Sequence, residues 1–127
     1  MIIAVDFDGT IVEHEYPKIG KEIPFAIETI QQLQKEGHQL ILWTFRSGKE
    51  LDEAIQYCAE RGVEFYAVNK SYPEEKFDLA ISRKIHADIF IDDRNLGGLL
   101  DWNTAYQLIT GKAAEQRKKK SRFGFLR

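Results

Sequence analysis

A single α/β domain built on a parallel sheet flanked by helices is the fold this sequence predicts. Three observations carry it. Short apolar runs, among them IIAV, LILW and IFI, alternate along the chain with segments of helical apolar period. Glycine punctuates the helical segments at Gly37, Gly62 and Gly111. At 127 residues the chain is about one domain long, enough to bury one core without disulfides or a structural metal.

The first strand is residues 1–5, an apolar run that suits a sheet covered on both faces, and it delivers Asp6 and Asp8 to its C-terminal end, where Gly9 forces a tight turn. Residues 11–22, IVEHEYPKIGKE, are polar and carry Pro17 and Gly20, so they read as a loop or small flap, too short for a cap domain. A helix is expected from about Pro24 to Glu36, with Ile23, Ala26, Ile27, Ile30, Leu33 and Gln34 on one side and Gly37 as its stop. HQLILWT is the second strand and carries Thr44 at its end. The next helix runs from about Gly48 to Arg61, with Leu51, Ala54, Ile55, Cys58 and Ala59 as its stripe, and Ser47 and Glu50 have capping-box spacing. VEFYAV reads as a third strand, NKSYPEEK as a polar loop, FDLAIS as a short extra strand or hairpin, and ADIFIDD as a fourth strand ending in paired acids. The last helix spans about Asp101 to Thr110 and stops at Gly111.

Net charge is −2 but is unevenly spread. Residues 1–111 carry 11 Lys and Arg against 19 Asp and Glu, a net −8, while residues 112–127 carry 7 basic residues against Glu115, a net +6. The domain is therefore residues 1–111, followed by a basic C-terminal tail, KAAEQRKKKSRFGFLR, read as a solvated extension that can still meet the phosphates of a nucleic acid. No run approaches the ~18 apolar residues of a membrane span, and the N-terminus lacks the features of a signal peptide. With a lone Cys58 on an apolar stripe, a core role and a reducing cytoplasm are expected. His14, His38 and His86 lack metal-ligand spacing, and His14, in the flap, is the best placed of them to touch substrate.

In a parallel sheet the strand ends share one edge, the edge where such sheets bind ligands. That edge gathers Asp6 and Asp8, Thr44, and Asp92 with Asp93. Crowded carboxylates of this kind call for a cation. A carboxylate of ordinary pKa, near ~4, is ionised at pH 7 and can attack phosphorus without a base to activate it. Asp6, Asp92 and the backbone carbonyl of Asp8 make an oxygen-rich site of the kind Mg²⁺ prefers, with Asp93 ligating through water or orienting its neighbours.

These residues resemble the haloacid dehalogenase-like phosphatases. DFDGT is similar to the first signature of that family, the hydroxyl in LWTFR to the second, Lys84 to the lysine of the third and IDD to the fourth, and the resemblance spans residues 2–110. It implies a Rossmann-like sheet with no large cap domain and a Mg²⁺-dependent phosphomonoesterase acting through an aspartyl-phosphate. Asp6 would be the nucleophile, Asp8 the general acid and base, and Thr44 and Lys84 the phosphate cradle. Gly9, Thr10, Arg46 and Ser47 would face the substrate, and Asp6, Asp8, Asp92 and Asp93 the metal. Substrates would be small-molecule or polymer-end phosphate esters, with Lys70, Tyr72 and Tyr16 as further contacts on the same edge. A shallow site is also compatible with an oligomer in which a partner subunit covers it. The competing reading is a phosphate-binding or regulatory module without turnover, associating with nucleic acid through the tail; a receiver-like domain is disfavoured because the third strand ends in AVNK, without an acid.

Overall fold

The computed structural model describes residues 1–112, so the expectations for residues 113–127 of the tail lie outside the described residues. In chain order the elements are β1 (Ile2–Val5), α1 (Ala26–Lys35), β2 (Gln39–Leu42), α2 (Gly48–Glu60), β3 (Ala67–Val68), β4 (Ile89–Ile91) and α3 (Trp102–Thr110). All pairings are parallel and the strand order is β3-β2-β1-β4, with Val5 opposite both Leu42 and Ile91. The chain thus builds outward from β1 in one direction and then returns to its other side. That reversal opens a crevice between the ends of β1 and β4, where open α/β sheets bind their ligands.

Alternation along β1 divides the interior. Ile3, Val5 and Phe7 join the larger core, with Leu40 and Leu42 from β2, Ile91 from β4, and buried residues of all three helices. Ala4 and Ile41 face the other way, into a smaller core with Ala67 and Ile85. The second face is therefore covered by the segment between β3 and β4, which holds no helix or strand. The expected extra strand or hairpin at FDLAIS is not formed: none of residues 77–82 lies in a strand, and Leu79 and Ala80 form a turn closed by Ile81 N–H to the Asp78 carbonyl. Phe77, Leu79 and Ile81 are exposed, so the segment's apolar side chains are not buried against the sheet.

The helix ends follow the sequence signals where a glycine sets them. After α1, Gly37 takes φ +92°, and His38 N–H reaches back to the Leu33 carbonyl. At α3, Asp101 caps the N-terminus by accepting from Thr104 N–H, and Gly111 closes the C-terminus at φ +74°. The capping box expected at α2 is absent: Ser47 makes no side-chain cap bond, and its carbonyl accepts from Leu51 N–H. Gln34, the polar residue on the α1 stripe, donates to the Glu64 carbonyl at 2.5 Å and so belongs to the packing after all. Cys58 is buried in the larger core, where burial pushes its thiol up to about 12, a core residue rather than a reactive one.

Candidate active site

Asp6 follows β1 directly, and its backbone N–H donates to the Ile91 carbonyl, which ties the end of β1 to the end of β4. Asp92 and Asp93 follow β4 in the same way. One ligand oxygen from each of Asp6, Asp92 and Asp93 lies within 4.8 Å of the others, so together they could hold a metal ion. The buried Thr10 braces the group: its Oγ1 donates to Asp6 Oδ2 at 3.2 Å and accepts from Asp93 N–H at 3.1 Å. Thr10 in turn is fixed by the buried Trp102 of α3, whose Nε1–H donates to the Thr10 carbonyl at 2.9 Å.

Three carboxylates this close repel one another. Burial, then Asp93 and then Asp92, push Asp6 up to about 7, far above an ordinary aspartate. Asp93 goes the other way. Burial works against its charge, but contacts from His14, Asp6 and Asp92 outweigh it and hold the carboxyl below its usual range. His14 Nε2 lies 2.8 Å from Asp93 Oδ2, whereas Asp93 Oδ1 is buried with no hydrogen-bond partner. A buried acceptor without a donor costs about 1–3 kcal/mol. A divalent cation bound by the three acids would satisfy this oxygen and relieve the repulsion, so the residues present fit such a group.

Gly9 makes the arrangement possible. It has φ +84°, and a Cβ there would stand 2.2 Å from His14 Nε2 and 2.4 Å from Asp93 Oδ2. Its amide N–H is spent on the Val12 carbonyl at 2.6 Å, so it is not a free donor for a phosphate oxygen. Thr10 is wholly buried, with its hydroxyl turned to the carboxylates it positions.

Asp8, two residues on from Asp6, has a different environment. Arg46 grips it with a two-pronged ion pair, Nε to Oδ2 and Nη2 to Oδ1, both at 2.7 Å. The remaining Arg46 donors go to the carbonyls of Pro17, Lys18 and Glu50, and the guanidinium stands 5.1 Å from the ring centres of Phe7 and Tyr16. Arg46 is 2% exposed. All five of its N–H groups serve the protein, clamping the flap and α2 to Asp8.

A cavity of about 400 Å³ opens over the acids, lined by Asp6, Asp8, Asp92, Thr44, His14 and Tyr16, with Phe45, Arg46 and Arg94. Thr44 is thus where the sequence placed it. Its backbone N–H donates to Asn69 Oδ1 at 2.8 Å, and its Oγ1 accepts from Arg46 N–H. Lys84 is not brought to this cavity. It is exposed, and its backbone N–H bonds Ser82 Oγ. Ser47, also exposed, caps α2 with its backbone and does not line the site. Four residues important here escaped the reading: Asn69, Trp102, Phe45 and Arg94. Phe45, beside Thr44 in LWTFR, and Arg94, beside Asp93, stood next to recognisable motifs; Asn69 and Trp102 are set by contacts across the fold.

Among solved structures, the conserved protein coded by locus from Bacteroides thetaiotaomicron is 62% identical and superposes with a TM-score of 0.83, over 87% of this chain and 90% of that one. The chain belongs to the family of that conserved protein. A second solved structure, the D,D-heptose 1.7-bisphosphate phosphatase from B. bronchiseptica complexed with magnesium and phosphate, is 19% identical. It matches over 53% of this chain and 47% of that one with a TM-score of 0.42, too partial a likeness to inform the site. No family model and no curated protein matches the sequence.

Proposed function

We propose that this chain is a magnesium-dependent phosphomonoesterase of the haloacid dehalogenase type. The observation that carries the reading is the Asp6, Asp92 and Asp93 cluster at the ends of neighbouring strands, with a buried, partnerless Asp93 oxygen inside it and the Thr44 hydroxyl on the same cavity. A bound Mg²⁺, held by those three acids, would neutralise charge on the incoming phosphate and keep Asp6 ionised.

Asp6 then attacks phosphorus through its carboxylate oxygen, the ester P–O bond breaks, and an aspartyl-phosphate forms. Water attacks the same phosphorus in the second half-reaction, releasing phosphate and restoring the carboxylate. Asp8 hands a proton to the leaving oxygen and regains one from the attacking water. A protonated Asp8 loses one prong of the Arg46 pair, so the proton and the guanidinium compete for the same oxygen. Thr44 donates to a phosphate oxygen, and Arg94 supplies positive charge at the cavity mouth. The substrate is a small-molecule or polymer-end phosphate ester.

Hydrolysis of phenyl phosphate by the full chain tests this. Release of phosphate that requires Mg²⁺ and disappears in Asp6→Asn is the expected result. Equal turnover in excess chelator would overturn it, as would a near-normal rate in the variant.

A further inference from the structure

Resting on the phosphatase reading, we propose that a second cavity, beyond Thr44, seats the alcohol part of the substrate and selects one that carries a second anionic group, a carboxylate or a phosphate. This cavity measures about 410 Å³ and shares Thr44 with the acid-lined one, while Trp43 and Thr44 also line the small pocket that reaches Asp6 and Asp92. The cavities thus meet at Thr44, beside the place of an ester with its phosphorus against Asp6.

The charges around this cavity differ from those of the rest of the domain. Lys70, Lys76 and Arg83 all line it. None of the three belongs to the ion pairs of the described residues, which are His14–Asp93, Arg46–Asp8, Arg61–Glu60 and Lys112–Glu36. The two acids in the same wall are engaged elsewhere: Glu75 accepts from Ser71 N–H and Asp78 from Ala80 N–H, each within its own turn. Against these two acids the three cations still leave the wall net positive by one charge, in a domain of net −8 over residues 1–111, a local anion-attracting field beside a site that otherwise repels anions. Arg83 lies 4.8 Å from the ring centre of the exposed Phe77, which holds its charge at the cavity rim and offers a face for a flat group.

The backbone links the two cavities. Asn69 lines the second one in the left-handed region, at φ +55°, a conformation a non-glycine residue adopts at a cost of about 1 kcal/mol or more. That conformation aims Oδ1 at Thr44 N–H, so the residue that shapes the second cavity also sets the hydroxyl of the first. The cavity exists because no helix covers this face of the sheet between β3 and β4.

Phenyl phosphate and 3-carboxyphenyl phosphate test the idea, since their phenols leave with similar ease and only one carries a second anion. With Mg²⁺ at low salt, kcat/KM for the carboxylated ester should exceed that for the plain one by about five- to tenfold, through KM, as suits one or two partly exposed charge contacts. The preference, read as the ratio of kcat/KM for the two esters, should shrink in salt and vanish in Lys76→Ala/Arg83→Ala. Equal constants for the two esters, or a preference that survives the double variant, overturn the subsite and leave the phosphatase reading standing. If neither ester is hydrolysed, the phosphatase reading falls, and calorimetric binding of the two compounds then decides the subsite: tighter, Lys76- and Arg83-dependent binding of the carboxylated compound supports it, and equal or absent binding overturns it.

Discussion

Asp6 and Asp8 stand two residues apart on one strand end, yet their surroundings are opposite. Asp6 faces two further acids, with burial and repulsion both working against its charge. Asp8 faces a buried guanidinium that satisfies both its oxygens. The first belongs to a cluster of acids that could hold a metal ion; the second has its cation built into the fold. Residue type and local position are nearly the same for both, so the partner that tertiary structure supplies decides what each carboxylate does.

The largest expected difference between the two is in turnover. Asp6→Asn should abolish phosphate release in a burst or steady-state assay while leaving the far-ultraviolet dichroism unchanged, because the amide is nearly isosteric but is no nucleophile. A residual rate near that of the parent would make Asp8 and Asp6 interchangeable, and the contrast between them would collapse.

Next in size is the cost of removing the built-in cation. Arg46→Ala leaves Asp8 without its charge partner and takes a donor from the loop carbonyls of Pro17 and Lys18, and should destabilise the protein by about 3–5 kcal/mol in urea unfolding. Replacing both partners, as Arg46→Met with Asp8→Leu, should cost less than the two single changes added together. Additive losses would mean that the pair is not coupled.

The effect of pH sharpens the same comparison. A carboxyl whose folded pKa lies above its unfolded value near ~4 binds its proton more tightly in the folded state, so its stabilising contribution is complete below about pH 4 and is lost as pH rises towards about 7. Without metal the protein should therefore lose on the order of 2–4 kcal/mol across that window, a ceiling set by the size of the shift. Asp6→Asn should flatten the profile, and at pH 8 Mg²⁺ should raise the melting temperature of the parent far more than that of the variant. A flat parental profile would remove the repulsion on which the contrast rests.

The smallest effect concerns the brace. Thr10→Val takes a donor from Asp6 and leaves Asp93 N–H buried without an acceptor, at a cost of about 1–3 kcal/mol in thermal or chemical unfolding. It should also move the pH-dependent loss upward, because Asp6 has lost a hydrogen bond to its charged form. The Asp8–Arg46 pair should be untouched, so Thr10→Val and Arg46→Ala should be additive.

Much of this architecture was legible along the chain, and the reason is local. Apolar runs marked the strands, glycines in the left-handed region stopped α1 and α3, and acids followed β1 and β4 because a parallel sheet turns its strand ends toward one edge. Those features depend on neighbours a few residues away, so a linear reading reaches them. The brevity of β3, two residues where six were expected, is different: Tyr66 and Asn69 bond β2 at either end, but Val63 turns into the larger core and the run does not continue as a strand.

By itself, then, the order of residues determined which acids reach one edge of the sheet and that residues 11–22 are too few for a cap. Only the tertiary structure decided that Arg46, 38 positions from Asp8, spends every donor inside the protein, that Trp102 braces Thr10 across 92 positions, and that Lys84 stays out in solvent while Lys70, Lys76 and Arg83 ring a second cavity. The physical reason is one of range. Secondary structure follows from periodicity and backbone freedom within a turn or two, whereas the charge state and role of a side chain follow from the few ångströms around it, and those are filled by residues that only folding brings near.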